Sequence, residues 1–263
     1  TWLLPTEYHI FIEEQKKHPP GTTWWIMKPI GKSQGKGIFL FNKPSQISEW
    51  KWQQSSSSSS SSTSGGGTTA TGKEAYVVQR YLDRPFLVGG KKFDMRIYAL
   101  CLSYNPLTVF VYRAGFARFT HQLYSTRQED MADTFVHLTN VAVQKHSEHY
   151  DPESGCKWDL RALRLHMTRS DGCQAVDSAF LAIQSAIVNS LLSVQRIMIN
   201  DRRSFELYGY DVRFIEDGLK PFILEVNASP SMTAENPRDY HLNKTVLKDT
   251  LDVAEIEGSI ASS

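Results

Sequence analysis

The order of patterns along the chain predicts an α+β fold built on mixed or antiparallel sheets. Strand-like stretches come in runs, long helical periodicity is gathered in the C-terminal half, and no regular strand–helix–strand alternation is present. The first run holds "WWIMKP" (24–29) and "GIFLF" (37–41), short apolar segments that read as buried strands, and "AYVVQRYL" (75–82) reads as a third. Between them residues 53–72, "QQSSSSSSSSTSGGGTTATG", contain nothing apolar and large enough to repay ordering, so a flexible loop inserted in a domain is expected there. Next, "KKFDMRIYALCLS" and "LTVFVYRAGFARFT" make a hairpin turning at Asn105-Pro106, rich in β-branched and aromatic residues. Helical spacing then governs "DLRALRLHM" and "QAVDSAFLAIQSAIVNSLLSVQRIM". Strands return as "FELYGYDVRFI" and "KPFILEV", joined by the turn Glu216-Asp217-Gly218, and an amphipathic helix is expected over about Leu242 to Ala254.

Composition narrows the classes of function. With 263 residues the chain can bury a sizeable core, and 41% hydrophobic with 22% charged residues is ordinary for a globular protein. No continuous apolar run approaches the ~20 residues of a membrane span, so no membrane role is expected. A formal charge of +1 gives no global pull toward nucleic acid, and an acidic partner would need a local basic patch. Cys101, Cys156 and Cys173 are odd in number and lack metal-site spacing, which points to a reducing compartment.

Three groups of residues carry chemistry. Asp211 lies in one strand and Glu225 and Asn227 in the next, two oxygen donors leaving one face of that strand, a set that suits Mg²⁺ beside a nucleotide. A strand-edge Asp and a turn Asn would give the same pattern. In "MKPIGKSQGKGIFLF", Lys28 precedes Gly31, Gly35 and Gly37, which flank Ser33 and Gln34; such glycines let backbone N–H groups approach anionic oxygens. The loop has no Walker spacing and leads into a strand, and a plain glycine-rich hairpin reads the same way. Lastly, "VVQRYL" offers a polar hinge between apolar residues, and Lys92, Asp94 and Arg96 alternate so that all three share one face, costly to bury unless paired or ligand-bound.

Seven blocks, "WWIMKPIGKSQGKGI", "AYVVQRYL", "KKFDMRIYAL", "YRAGFARFT", "HLTNVAVQKH", "ELYGYDVRF" and "FILEVNASPS", together resemble the catalytic region of the tubulin tyrosine ligase-like family, over about Trp24 to Ser231. The "VQKH" and "LEVNASPS" wording is most similar to the polyglutamylase branch, in particular its small ciliary members. This resemblance implies an ATP-grasp fold whose two lobes hold ATP between them: residues 1–88 as a central lobe, 89–255 as a C-terminal lobe with the metal site, and 256–263 as a tail. It implies ATP and Mg²⁺ as cofactors. The implied chemistry joins L-glutamate to glutamate side chains in tubulin C-terminal tails through an acyl-phosphate. A tubulin glycylase, or a non-catalytic tubulin-binding subunit keeping the fold, are the alternatives.

The resemblance also distributes roles. Lys28 would contact the phosphates, with Gln34 and Gly35 covering them; Gln79, Arg80, Tyr81 and Leu82 would bracket adenine; Lys92, Phe93 and Asp94 would contact the nucleotide, with Thr139 and Asn140 near the phosphates. Asp211, Glu225 and Asn227 would hold the metal. Arg96, Arg118 and Lys157 would be catalytic, and Arg118 and Lys157, with Lys244, would bind the free glutamate. His137 could shuttle a proton or sit hydrogen-bonded in the core. Lys91, Lys92, Arg96, Arg113, Lys145, Arg202 and Arg203 are candidates for meeting an acidic tail. Accessory subunits are expected, and the expected place is the cytoplasm and cytoskeleton, at a ciliary or flagellar axoneme or basal body. Compared with the family pattern, the upstream N-terminal segment and an extended basic microtubule-binding region are expected to be missing.

Overall fold

Burial alternates along Trp25–Pro29, with Trp25, Met27 and Pro29 inside and Ile26 and Lys28 half-buried, as a strand with one face on a core requires. The computed structural model describes residues 1–47, 75–147, 156–199 and 204–254. The serine-rich loop expected at 53–72, the tail 256–263, Arg202 and Arg203 lie outside the described residues. The chain divides into two compact units, 1–84 with 120–150, and 85–119 with 151–263.

In the first unit, β1 (Trp2–Leu4), β2 (Trp25–Pro29), β3 (Phe39–Phe41) and β4 (Tyr76–Arg80) form an antiparallel sheet in the order β1-β4-β2-β3. Its core is largely aromatic: Phe11 from the helix Tyr8–Lys16 meets Trp25 edge-on at 5.1 Å and Phe41 at 6.0 Å, with Leu4, Met27, Tyr76 and Val78 around them. Residues 120–147 return to this unit. Tyr124 donates to the Asp83 carbonyl at 2.7 Å, which ties this segment to the rest of the unit, and within the segment the His121 N–H donates to Gln144.

The second unit is a sheet in the order β10-β9-β6-β7-β8, made of β6 (Lys91–Tyr104), β7 (Leu107–Phe119), β8 (Lys157–Asp159), β9 (Glu206–Phe214) and β10 (Pro221–Asn227), with β5 (Leu87–Val88) paired to β6. All pairings are antiparallel. One face is apolar: Phe93, Met95, Ile97, Ala117, Tyr210, Val212 and Phe214 pack with Leu163 and Met167 of the helix Leu160–Asp171 and with Val176, Ala179, Ile183, Ile187 and Leu191 of the helix Cys173–Val194.

Two expectations change here. The 22-residue helix Cys173–Val194 is, by length and average composition, apolar enough to cross a bilayer. Ser, Gln and Asn interrupt it, so no continuous apolar run shows in the sequence, and its inward stripe is the one packed on the sheet. The last helix runs Pro237–Val253 and so begins before Leu242, because the Asn236 side chain caps it by accepting from the Asp239 N–H at 2.9 Å and Pro237 fits its first turn.

Candidate functional site

Strand register gathers the predicted residues of the second unit. Arg96 lies opposite Asp211, Asp211 opposite Glu225, Asp94 opposite Arg118, and Arg118 opposite Lys157. Residues directly opposite in antiparallel strands share a face, so these side chains stand on the side of the sheet away from the helices Leu160–Asp171 and Cys173–Val194. A bulge in β10 makes the last link. Ile223 pairs with Val212 and Glu225 with Asp211, so Leu224 is the extra residue; regular pairing would have set Glu225 against the core residue Tyr210.

The row is held by charge-assisted hydrogen bonds. Arg96 donates from Nε to Asp211 Oδ1 at 2.6 Å and from Nη2 to Oδ2 at 3.1 Å. Arg118 grips Asp94 with Nε and Nη2 at 2.7 and 2.9 Å, and its Nη2 also lies 2.7 Å from Asp211 Oδ2. Burial opposes ionisation of Asp211, but the Arg118 charge and the Arg96 hydrogen bond outweigh it and hold the carboxyl at about 2. Gly209 makes room for this: a Cβ there would stand 2.8 Å from Pro230 Cβ and 3.1 Å from Arg96 Cδ.

Glu225 stands directly opposite Asp211 in the strand register, and Asn227 Nδ2 donates to the Gly209 carbonyl at 3.1 Å and lies 3.4 Å from Glu225 Oε1. Two carboxylates brought together and an amide oxygen fit a hard divalent cation, because the cation relieves the repulsion that the pairing creates. Among the described residues no three His, Cys, Asp or Glu side chains are grouped for a metal.

Other predicted residues are placed differently. The Phe93 side chain is 1% exposed and lies in the apolar core, its ring 5.1 Å from Phe119, and not on the charged face. Lys92 is fully buried. Lys157 meets Asp239 at 2.7 Å and Glu235 at 3.4 Å and lies over the Phe116 ring. Lys244 is exposed on the last helix, whose inward residues there are Asn243 and Val246.

Within the first unit, Lys28 pairs with Val77 and Ile26 with Gln79, which puts Lys28 and Gln79 on the face away from the aromatic core. Gly31, Gly35 and Gly37 have positive φ, and so does the non-glycine Gln34 at +64°. Arg80 is exposed and Leu82 half-buried, while Tyr81 is buried with its hydroxyl 2.8 Å from His137 Nδ1. His137 Nε2 is 3.1 Å from the Asp130 carbonyl, so both ring nitrogens have partners inside the unit, the arrangement of a core histidine. Thr139 is buried and Asn140 half-buried, the latter against Gly35. Arg213, Gly209, Asp239 and Gln144 were not singled out by sequence. Alternation from Asp211 already put Arg213 on the charged face, whereas Gln144 and Asp239 take their roles from distant partners.

Comparison with known proteins follows the same lines. Residues 1–260 match the family described as the tubulin-tyrosine ligase family. The chain is similar to "Probable tubulin polyglutamylase ttll-9" of Caenorhabditis elegans, 48% identical over 98% of this chain and 58% of the relative. It is 44% identical to "Probable tubulin polyglutamylase TTLL9" of Bos taurus, over 99% and 59%, and 43% identical to "Probable alpha-tubulin polyglutamylase Ttll1" of Tetrahymena thermophila, over 96% and 59%. The chain thus spans 58 to 59% of the length of these curated relatives. With seven sequence blocks, an α+β structure of antiparallel sheets and a family match over nearly its whole length, the chain belongs to the tubulin-tyrosine ligase family.

Proposed function

We propose that the full-length protein is an ATP- and Mg²⁺-dependent tubulin polyglutamylase that joins L-glutamate to glutamate side chains of tubulin C-terminal tails. The observation that carries this is the Arg96–Asp211–Glu225 row, which runs from a buried Arg–Asp pair to the exposed Glu225 and ends in paired carboxylates with a net negative charge. Relatives 43–48% identical that bear the polyglutamylase name support the choice of reaction. The ATP-grasp assignment, with ATP between two lobes, is part of the same proposal.

In this reading Asp211, Glu225 and Asn227 hold Mg²⁺, which when bound offsets the negative charge opposing a carboxylate that approaches a phosphate. Lys28 and the backbone of Gln34 and Gly35 bind phosphates, Gln79 to Leu82 present backbone groups to adenine, and Lys92, Asp94, Thr139 and Asn140 complete the nucleotide contacts. Activation as an acyl-phosphate needs no protein nucleophile, so positioning is the protein's main contribution. Arg118 and Lys157 already hold carboxylates, those of Asp94 and Asp211 and those of Asp239 and Glu235, which is the chemistry needed to bind free glutamate. Lys244 and accessory subunits are secondary parts of the proposal, and the place of action is the microtubule, including that of cilia.

The test is transfer of labelled glutamate, with labelled glycine in parallel, onto purified microtubules by the full-length protein and its Glu225→Gln variant. Glutamate and not glycine is expected to be incorporated, with a loss of at least about a hundredfold in the variant. Glycine incorporation makes the protein a glycylase. A folded, ATP-binding protein that transfers neither overturns the catalytic reading.

A further inference from the structure

Gln144 is fully buried, yet its amide is used at both ends. Oε1 accepts from the His121 N–H at 2.8 Å, and Nε2 donates to the carbonyls of Leu138 at 2.5 Å and Phe135 at 3.1 Å. One side chain therefore ties the start of the 120–147 segment to both ends of the stretch that leads into Thr139 and Asn140. Its own backbone N–H donates to the Asn140 carbonyl at 3.0 Å, which closes the turn on itself.

The glycine loop is seated on that turn. A Cβ at Gly35 would stand 3.0 Å from Val143 Cγ2 and 3.1 Å from Asn140 Oδ1, so the contact has no slack, and φ there is +80°. The preceding Gln34 is in the left-handed region, a conformation a non-glycine residue keeps when its surroundings determine it. Nothing in the function proposed above uses Gln144.

We propose that Gln144 is a positioning residue for phosphate binding: it fixes the helical turn Val141–Gln144 together with Thr139 and Asn140 that lead into it, and this turn fixes Gln34 and Gly35. This rests on the reading that the glycine loop receives the phosphates of ATP. Gln144 touches no nucleotide in this arrangement and acts through the backbone it holds. A glutamine that served only to stabilise the core would change the melting temperature and leave nucleotide affinity alone.

The experiment measures ATP binding by calorimetry, and KM for ATP and for glutamate, on the full-length protein and on Gln144→Glu, Gly35→Ala and the double variant. Gln144→Glu keeps the shape and the acceptor but turns a carboxylate oxygen toward two carbonyls. Each single change is expected to raise the ATP Kd and KM about tenfold while the KM for glutamate holds, and the double variant should be little worse than the worse single. An unchanged ATP Kd in Gln144→Glu, or additive losses, overturns the proposal. Should Gln144→Glu not fold, Val143→Ala in the Gly35→Ala background is expected to return part of the lost affinity, and no return overturns the seating. A wild-type protein that binds no ATP defeats the nucleotide reading instead, and that outcome is separate from wild type and Gln144→Glu binding equally well.

Discussion

Arg118 holds two buried carboxylates at once, and its side chain is only 10% exposed. Burial alone would weaken its charge, but Asp94 and Asp211 outweigh that and keep it firmly protonated. Lysine cannot reproduce the planar fork that grips Asp94, so Arg118→Lys should cost about 2 kcal/mol, and Arg118→Ala, which strands both carboxylates, about 3–5 kcal/mol, read from urea unfolding. The exposed pair Lys16–Glu13 at 2.7 Å is a control whose removal should change nothing measurable. A second residue predicts a pH effect. Burial, then the hydrogen bond to Asp249, raises Tyr112 from its ordinary 10 to about 12. A raised folded value means that its contribution is present below pH 10 and lost as pH rises through about 12. Tyr112→Phe should therefore flatten the alkaline limb of the stability curve over that interval, and an unchanged limb would remove the Tyr112–Asp249 bond as its cause.

The helix Cys173–Val194 shows how an element's average can mislead and its periodicity inform. Its inward residues Ile183 and Ile187 are almost fully buried, while Leu181 is 61% exposed. Ile187→Ala is expected to lower stability by about 2–5 kcal/mol and Leu181→Ala by well under 1 kcal/mol in the same denaturation assay. Periodicity of this kind made the long elements readable: β6 and β7 with their turn at Asn105-Pro106, the helices near 160 and 173, and β9 with β10 all emerge where the sequence places strands and helices. Short elements did not. Trp2–Leu4 is three residues long and gains its pairing from Val77 and Val78, and Lys157–Asp159 from β7, so neither carries its own pattern. The candidate site divides similarly. Alternation on β6 announced Lys92, Asp94 and Arg96 as one face, but the same alternation sends Phe93 to the other, and the Leu224 bulge that aligns Glu225 with Asp211 has no local signature.

On the scale of the whole chain, 29 basic residues nearly balance 28 acidic ones, so no long-range field draws in an acidic tail. Under the proposed function, capture of such a tail depends on short-range patches, which salt screens. Raising ionic strength from roughly 50 to roughly 200 mM is expected to raise the KM for microtubules several-fold and leave the ATP KM nearly constant, and equal effects on both would contradict patch capture. The two-faced second sheet has a consequence for heredity as well. Phe93, Met95 and Ile97 alternate with Lys92, Asp94 and Arg96. Removing one codon anywhere from Lys91 to Ile97 would slip the strand by a residue and exchange its oily and ionic sides together. Single-codon deletions scanned across the gene should be tolerated at turns such as Glu216-Asp217-Gly218 and purged throughout this strand, even at positions where ordinary substitutions survive.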